Sequence, residues 1–277
     1  MQTIPTVQLR TGTTMPQVGF GTYKVTDGAQ EIVESALETG YRHIDTAQMY
    51  GNEDAVGRAW TGSGVPRQEL FITSKLDNPN HREPNFSAAF AQTLEDLQTD
   101  YVDLYLIHWP LPMQYGGDFV TTWNMMEEIY ASGAARAIGL SNFEPEHLQR
   151  ILDESSIVPH VLQVESHPFF PNETVRQAAR DNDIVFQAWS PLARSQAVTD
   201  PVLTQVGSAH GKSAAQVALR WGLQNGHVVL PKSSTAQRQS ENKDLFDFEL
   251  DDAEMELISS LNRGEAGRTG GHPLQRT

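Results

Sequence analysis

Residues 40–53 read GYRHIDTAQMYGNE, and this stretch carries the pattern that decides the fold. Its short apolar run, YRHID, ends at Asp45, and Tyr50 follows five residues later. Two further runs end in a chemically active side chain, since LFITSK ends at Lys75 and VDLYLIH ends at His108. Barrel enzymes build their active sites from such groups at the carboxyl ends of their strands. The stretch therefore predicts both a barrel and the position of its active site.

The same alternation of apolar run and helical stretch continues along the chain. Several helical stretches open with Asp, Asn or Ser and close at Gly, as helix capping favours. Most apolar runs lack polar alternation, which is typical of strands buried on both faces of a parallel sheet. The runs are GFGTYK, YRHID, LFITSK, VDLYLIH, RAIGLS, VLQVE, IVFQAWS and VVLPK. Eight strands with intervening helices predict an α/β fold, a closed (β/α)8 TIM barrel, with an open doubly wound sheet as the alternative.

The length of 277 residues fits one domain over 1–277, because a barrel of this kind typically needs about 250 residues. Residues 6–18 alternate around a TGTT turn, which predicts an N-terminal β-hairpin before the barrel. The C-terminal tail, about 262–277, is rich in Gly. The sequence leaves open whether this tail is disordered or forms a lid.

Composition excludes several classes of function. The net charge of −15 argues against a nucleic-acid partner or an anionic membrane surface, since both need clustered Lys and Arg. The absence of cysteine excludes disulfides, thiolate catalysis and zinc sites built from Cys. No stretch approaches the roughly 20 apolar residues of a membrane span, and the N-terminal residues lack the apolar core of a signal peptide. We expect a cytoplasmic protein.

The four side chains at the predicted strand ends suit proton transfer to a reduced carbonyl. Hydride addition to a carbonyl creates an alkoxide, and Tyr50 can protonate it, although an unperturbed phenol has a pKa of about 10. An ammonium at Lys75 lowers that pKa, Asp45 holds the ammonium, and His108 orients the carbonyl. Each residue alone has a structural interpretation: core packing, a helix cap, an ion pair or a buried histidine. Their joint occurrence at three consecutive strand ends favours chemistry.

These motifs resemble those of the aldo-keto reductases over about residues 6–262. GYRHIDTAQMYGNEDAVG is similar to the first signature of that family, AIGLSNF to the second and LPKSSTAQRQSEN to the third. The closest likeness is to the bacterial 2,5-diketo-D-gluconate reductase branch. The resemblance implies an NADPH-dependent reductase of small carbonyl compounds, with Tyr50 as general acid, and it suggests a monomer.

No GxGxxG motif follows the first strand, so a Rossmann cofactor site is not supported. By resemblance, NADPH lies across the carboxyl edge of the barrel, where Trp189 stacks on the nicotinamide ring. A Lys and an Arg after the last strand suit a 2′-phosphate. The candidate cofactor residues are Ser141, Asn142, Gln163, Trp189, Ser190, Pro191, Leu192, Lys232, Ser233, Arg238, Glu241 and Asn242.

The substrate pocket is predicted to be partly apolar. Its candidate walls are Tyr23, Met49, Trp109 and Tyr115. Three positions depart from the usual pattern of the family: Asp77 replaces a common aromatic residue, Ser166 a larger apolar one and Met49 a frequent Ala. Asp77 in particular puts one wall of the pocket in doubt.

Two other functions remain open at this point. A metal-dependent barrel hydrolase would use His43, Asp45, His108 and His167, but it leaves Tyr50 and Lys75 unexplained. We therefore predict no metal site. A barrel that binds NADPH without turnover is the second alternative, and comparison of turnover with cofactor binding decides it.

Overall fold

The computed structural model describes residues 4–276, and its centre is a sheet of eight parallel strands in chain order. Strands β1 (Thr6–Gln8) and β2 (Thr14–Pro16) pair antiparallel as a separate hairpin. The parallel strands are β3 (Phe20–Gly21), β4 (His43–Asp45), β5 (Phe71–Leu76), β6 (Leu104–Ile107), β7 (Ile138–Ser141), β8 (Val161–Glu165), β9 (Val185–Trp189) and β10 (Val228–Leu230). Each lies within one of the eight runs predicted from the sequence, except that Leu76 extends β5 by one residue.

The first and last strands meet and close the sheet. The backbone N–H of Gly19 donates to the carbonyl of Val229 at 2.9 Å, and that of Val229 donates to Gln17 at 2.9 Å. A third bond joins Gly21 N–H to the carbonyl of Pro231 at 3.0 Å. The predicted TIM barrel and its hairpin are confirmed, and the open-sheet alternative is wrong.

The sequence predicts seven helical stretches: DGAQEIVESALETG, NEDAVGRAW, NFSAAFAQTLEDLQTD, FVTTWNMMEEIYASG, EPEHLQRILDES, NETVRQAARDN and KSAAQVALRWGLQNG. Each coincides with one of the ten α-helices that surround the strands. Their bounds are α1 (Ala29–Thr39), α2 (Glu53–Gly62), α3 (Asn85–Asp96), α4 (Val120–Ser132), α5 (Pro145–Glu154), α6 (Glu173–Asp181), α7 (Pro201–His210), α8 (Ala214–Gln224), α9 (Ala236–Lys243) and α10 (Asp252–Ser259), counted over residues 4–276. Helices α7, α9 and α10 were not predicted. Helix α7 begins at a proline after Asp200, whose side chain accepts from the backbone of Val202 and Leu203 and so caps the helix. None of the described helices is long and apolar enough to cross a bilayer.

Two of the four apolar clusters in the described chain show which end of the barrel is left for chemistry. Helix residues such as Trp123 and Leu219 pack with Ile72 and Leu162 of the strands in the largest apolar cluster. A smaller cluster lies where the hairpin covers the amino-terminal end of the strands, and it joins Leu9 and Met15 to Phe71, Leu104, Leu106, Ala137, Val161 and Val228. The hairpin therefore closes this floor. The carboxyl ends of all eight strands meet at the opposite end, the mouth.

His227 is a buried polar side chain that the apolar core tolerates only in its neutral form. Its ring packs against Phe186 and Trp221, at centroid distances of 4.8 Å and 5.7 Å, and neither ring nitrogen has a hydrogen-bond partner. Burial lowers the pKa of His227 to about 3. Below pH 6.5 the His227 imidazole binds a proton in the unfolded chain but stays neutral in the native state. The free energy of unfolding therefore falls as the pH drops from about 6.5 towards 3.

We expect His227→Phe to flatten this acid dependence. At pH 4.5 the substitution removes a penalty of about 2–3 kcal/mol, since one pKa unit corresponds to about 1.4 kcal/mol. Urea unfolding at pH 7.5 and pH 4.5 measures the effect. If the free energy of unfolding changed by the same amount between pH 7.5 and pH 4.5 in the variant and in the unmodified protein, the lowered pKa of His227 would be contradicted.

Candidate active site

The barrel brings the four predicted catalytic side chains together at the mouth. Asp45 ends β4, Lys75 lies in β5, His108 follows β6, and Tyr50 ends a short 3-10 turn, Gln48–Tyr50, after β4. The Lys75 ammonium donates to Asp45 Oδ1 at 2.6 Å and to the Tyr50 hydroxyl at 3.3 Å. The rings of Tyr50 and His108 meet edge to face at 5.6 Å. The phenol thus lies between an ammonium and an imidazole.

Lys75 and Asp45 form a buried ion pair whose polar atoms are satisfied. The exposed fractions of their side chains are 0% and 5%. Burial disfavours the ammonium, but Asp45 and Tyr50 outweigh that effect and hold the pKa of Lys75 above its usual value. Asp45 Oδ2 accepts from Gln163 at 2.7 Å, and the carbonyl of Thr46 accepts from Lys75 at 2.9 Å. Lys75 therefore remains charged at neutral pH.

The pKa of Tyr50 differs from the sequence expectation. Desolvation at the mouth raises the pKa of this phenol, and the opposing effect of the Lys75 charge is smaller. The prediction of an unusually acidic phenol is wrong, because the sequence could not show how far surrounding atoms cover the ring. The phenol keeps its proton at neutral pH, which suits a proton donor.

His108 is buried and neutral. Burial, followed by the charges of Lys75 and Arg276, lowers the pKa of His108 well below its usual value. Its Nδ1 atom has no hydrogen-bond partner among the described residues. A neutral imidazole can orient a carbonyl through a hydrogen bond without adding a charge to the site.

Hydrogen bonds link the candidate nicotinamide residues across three strand ends. Trp189 Nε1 donates to Asn142 Oδ1 at 2.9 Å, and Asn142 Nδ2 donates to the carbonyl of His108 at 2.9 Å and to the Ser141 hydroxyl at 3.1 Å. Asn142 and Ser190 have φ values of 64° and 53°, a left-handed conformation that is strained for residues other than glycine and often marks functional sites. These contacts fix the partly exposed indole ring at the mouth.

Gln163, the remaining candidate for the nicotinamide amide, is already engaged. Its amide nitrogen donates to Asp45 and to Gln187, both at 2.7 Å. The structure thus shows Gln163 supporting the Asp45 carboxylate, a contact that the sequence did not reveal. Contact with the cofactor stays a prediction for this residue.

The candidate phosphate-binding residues follow β9 and β10. Ser190, Pro191 and Leu192 lie directly after β9, and the second group is Lys232, Ser233, Arg238, Glu241 and Asn242, whose last three members belong to α9. Lys232 and Arg238 are exposed, and neither forms an ion pair with any residue in 4–276. Ser233 is buried and accepts from the backbone of Thr235 at 3.2 Å. Two unpaired cations beside one strand end fit the phosphates of a dinucleotide.

Three of the four predicted pocket walls lie next to the Tyr50–His108 pair, in space or in sequence. The Tyr23 ring is half exposed and lies 5.1 Å from the Tyr50 ring. Met49 precedes Tyr50, and Trp109 follows His108 and is buried. Tyr115 lies farther out on the loop after β6. Its ring stacks on His81 at 5.4 Å, and its hydroxyl donates to the carbonyl of Asn78 at 2.8 Å.

Two of the unusual positions serve local structure. Asp77 accepts from the backbone N–H of Asn78 at 2.7 Å and caps the turn Asn78–Asn80. Its own N–H donates to Gln48 in the turn that carries Tyr50. Ser166 is buried and donates to the carbonyl of Pro171 at 3.0 Å. Asp77 therefore joins the loop after β5 to the catalytic turn.

The C-terminal tail, 262–276 in the described chain, is ordered across the mouth. Glu165, at the end of β8, accepts from the N–H and hydroxyl of Thr269 at 2.6 Å each and from the N–H of Gly270 at 2.8 Å. A Cβ atom on Gly270 would lie 2.3 Å from the Trp189 ring, so only glycine fits there. The tail is thus a lid rather than a disordered segment, and position 277 lies outside the described residues. The sequence signal for the contact between Glu165 and the tail is that Glu165 is a carboxylate at the end of the apolar run VLQVE.

Three of the four candidate metal ligands have other partners. His43 Nδ1 lies 3.1 Å from the carbonyl of Pro16, Asp45 binds Lys75, and His167 Nε2 pairs with Glu165 at 3.0 Å. No group of three or more potential ligands gathers anywhere in residues 4–276. The geometry gives the metal-hydrolase alternative no support.

Comparison with known proteins identifies the family. The family model described as "Aldo/keto reductase family" matches residues 12–263. Glyoxal reductase of Bacillus subtilis is 46% identical over 97% of this chain and 96% of its own length. A solved structure of a Gox0644 variant in complex with NADPH has a TM-score of 0.94, 36% identity and full coverage of both chains. A Bombyx mori aldo-keto reductase in complex with NADP has a TM-score of 0.88 and 35% identity, covering 95% of this chain and 94% of the other. The chain therefore belongs to the aldo/keto reductase family, and it is an oxidoreductase that reduces carbonyl compounds with NADPH.

Proposed function

We propose that Tyr50, Lys75, Asp45 and His108 carry out the reduction of small aldehydes and ketones by this protein. The observation that carries the assignment is the Lys75 ammonium, which lies 2.6 Å from Asp45 and 3.3 Å from the Tyr50 hydroxyl. A structural ion pair needs only the first of these contacts. The second places a cation where a phenolate forms when Tyr50 loses its proton.

The proposed roles follow from this geometry. NADPH, held by the residues at the mouth, would supply a hydride to the carbonyl carbon. His108 and Tyr50 hold the carbonyl oxygen, and the Tyr50 hydroxyl transfers its proton to that oxygen as negative charge develops there. The Lys75 ammonium stabilises the phenolate left behind, and Asp45 keeps the ammonium in place. Solvent then returns a proton to Tyr50 when the product leaves.

The residues at the mouth fit the cofactor in type and position. Trp189 presents an indole ring fixed by Asn142, which suits stacking against the nicotinamide. The amide and hydroxyl groups of Asn142 and Ser141 suit its carboxamide. Ser190, Pro191 and Leu192 line the proposed course of the pyrophosphate. Lys232, Ser233 and Arg238 would hold the 2′-phosphate, with Glu241 and Asn242 beside them.

We expect the double substitution Lys232→Ala with Arg238→Ala to weaken NADPH binding about 100-fold or more while changing NADH binding little. Hydrogen bonds to charged groups are worth about 1.5–3 kcal/mol each, and NADH lacks the phosphate that receives them. Fluorescence titration with both cofactors measures the two dissociation constants. Arg10→Ala with Arg180→Ala, at the floor, is a control of equal charge change. Equal weakening of NADPH and NADH would remove the 2′-phosphate assignment.

The substrate is proposed from the likeness to relatives. The name glyoxal reductase of one relative favours short dicarbonyl compounds, and the sequence motifs favour the 2,5-diketo-D-gluconate branch. NADPH absorbance followed against glyoxal, methylglyoxal, 2,5-diketo-D-gluconate and simple aldehydes ranks these candidates. Binding of NADPH without oxidation in the presence of any of these carbonyl compounds would instead support a non-catalytic barrel.

We propose further that residues 1–277 act as one catalytic domain, as a monomer in the cytoplasm. The family model matches residues 12–263, which supports one domain. The site assembles from the strand ends of one chain and needs no second copy. Sedimentation of the purified protein tests the oligomeric state.

A further inference from the structure

We propose that Arg276 binds the carboxylate of 2-oxo acid substrates and so gives this reductase a preference for anionic over neutral ketones. The proposal rests on the function proposed above, because it assumes that Tyr50 and His108 hold the carbonyl oxygen. It adds to that function a binding group on the tail and a chemical class of substrate.

Arg276 contacts the chain neighbours of both carbonyl-binding residues. Its Nη2 atom is 3.9 Å from the Met49 sulfur, and its guanidinium carbon lies 5.1 Å from the centre of the Trp109 ring. Met49 and Trp109 are the chain neighbours of Tyr50 and His108. The charge of Arg276 also contributes to the lowered pKa of His108. A group attached to the carbonyl carbon therefore lies within reach of the guanidinium.

The guanidinium has no acid partner in the described chain. Arg276 forms no ion pair with any residue in 4–276, and its buried Nε atom has no hydrogen-bond acceptor. By contrast, Arg268 of the same tail pairs with Glu144 and Glu265. In a protein of net charge −15, an arginine held against two apolar side chains without a carboxylate is an unused anion-binding group.

Two carboxylates at the mouth are committed elsewhere. Asp45 binds Lys75 and Gln163, and Glu165 binds His167 and the backbone of the tail. Neither is free to neutralise Arg276 or to repel an incoming anion strongly. A substrate carboxylate is the partner that this arrangement lacks.

Other unused polar atoms lie around the same space. Buried side-chain atoms without a partner include Nδ1 of His108, Nε2 of His81 and Oδ1 of Asn78, besides Nε of Arg276. His81 also acts on the pKa of His108, and Asn78 and His81 share the loop after β5. Buried polar groups normally have partners, so this concentration indicates a site that a polar ligand completes.

The anchoring of the tail explains how Arg276 keeps this position. Glu165 binds Thr269 and Gly270, and Glu144 binds Arg268. These three anchored tail residues lie within eight positions of Arg276. The 3-10 turn Pro273–Gln275 then leads directly to Arg276. The carboxylate-binding group is thus on an ordered segment, as a selective contact requires.

The test compares pyruvate with methyl pyruvate, which share the reacting carbonyl and differ in the negative charge. We expect Arg276→Gln to lower kcat/KM for pyruvate about 10–100-fold, mainly through KM, because a charge-assisted hydrogen bond is lost. The value for methyl pyruvate should change less than about threefold. Arg276→Lys keeps the charge but not the two-pronged geometry, and it should retain part of the pyruvate activity. Arg10→Gln, at the floor, is a control of equal charge change and should alter neither substrate.

Equal losses for both substrates would overturn the proposal, because Arg276 would then only pack the lid. If Arg276→Gln left the ratio of kcat/KM for pyruvate to kcat/KM for methyl pyruvate unchanged, the proposal would be overturned as well. Reduction of the ester in that case would leave the proposed function standing. If the unmodified protein reduced neither compound, calorimetric titration of pyruvate into the complex with NADP⁺ decides. The proposal is supported if pyruvate binds to the unmodified protein and not to Arg276→Gln. It is refuted if pyruvate binds to neither protein, or to both with equal affinity.

Discussion

Tyr50→Phe should reduce kcat for carbonyl reduction by about 10²–10⁴-fold, which is the usual contribution of a positioned general acid. The phenyl ring keeps the edge-to-face contact with His108 and the contact with Tyr23. Only the hydroxyl that lies 3.3 Å from the Lys75 ammonium is lost. NADPH affinity should stay the same, because the cofactor candidates are on other strand ends. Stopped-flow turnover and fluorescence titration with NADPH measure the two quantities.

Tyr130→Phe is the matched control. It removes the same atom from the outer helix α4, where the Tyr130 ring packs against His160. We expect near-normal turnover for Tyr130→Phe. Tyr130→Phe and Tyr50→Phe should have equal melting temperatures. Near-normal turnover of Tyr50→Phe would show that another group delivers the proton.

Lys75→Met should damage both turnover and stability. The phenolate of Tyr50 loses its cation, so kcat should fall by about 10²-fold or more. Asp45 is also left as a buried carboxylate without its cation, which typically costs about 3–5 kcal/mol. Urea unfolding at pH 7 and NADPH turnover measure the two effects separately.

The double variant Asp45→Asn with Lys75→Met separates the two roles of Lys75. Asparagine removes the unpaired buried charge, so much of the lost stability should return. Turnover should remain low, because no cation faces Tyr50. A double variant that regained both properties would mean that Lys75 serves the fold alone.

The architecture could be predicted from sequence because its signal is local and repeated. Runs such as LFITSK and VLQVE are short, apolar and separated by capped helical stretches, and the strand ends then share an edge by topology. The contacts of Asp45, Lys75, Tyr50 and His108 follow from that rule. Helix α9 escaped prediction because its sequence, AQRQSENK, has almost no apolar stripe and depends on tertiary packing.

The rest of the site depends on contacts between distant residues, and these leave no periodic trace. Gln163 reaches Asp45 across 118 residues of sequence, and Glu165 reaches Thr269 across 104. The raised pKa of Tyr50 reflects how closely the mouth surrounds the ring, which no motif records. Arg276 carries no pattern in the sequence either. Its meaning appears only when the tail is seen to end beside Met49 and Trp109.

The hairpin has a practical consequence for redesign. Leu9 and Met15 seal the floor with inward side chains from the strands, at the far end from every proposed reacting group. Substrate range can therefore be engineered by grafting new loops and tails at the mouth. Affinity tags and stabilising substitutions can be placed at the floor, away from the proposed reacting groups. Deleting residues 4–16 should strip that seal and leave a barrel that aggregates, however intact its catalytic groups remain.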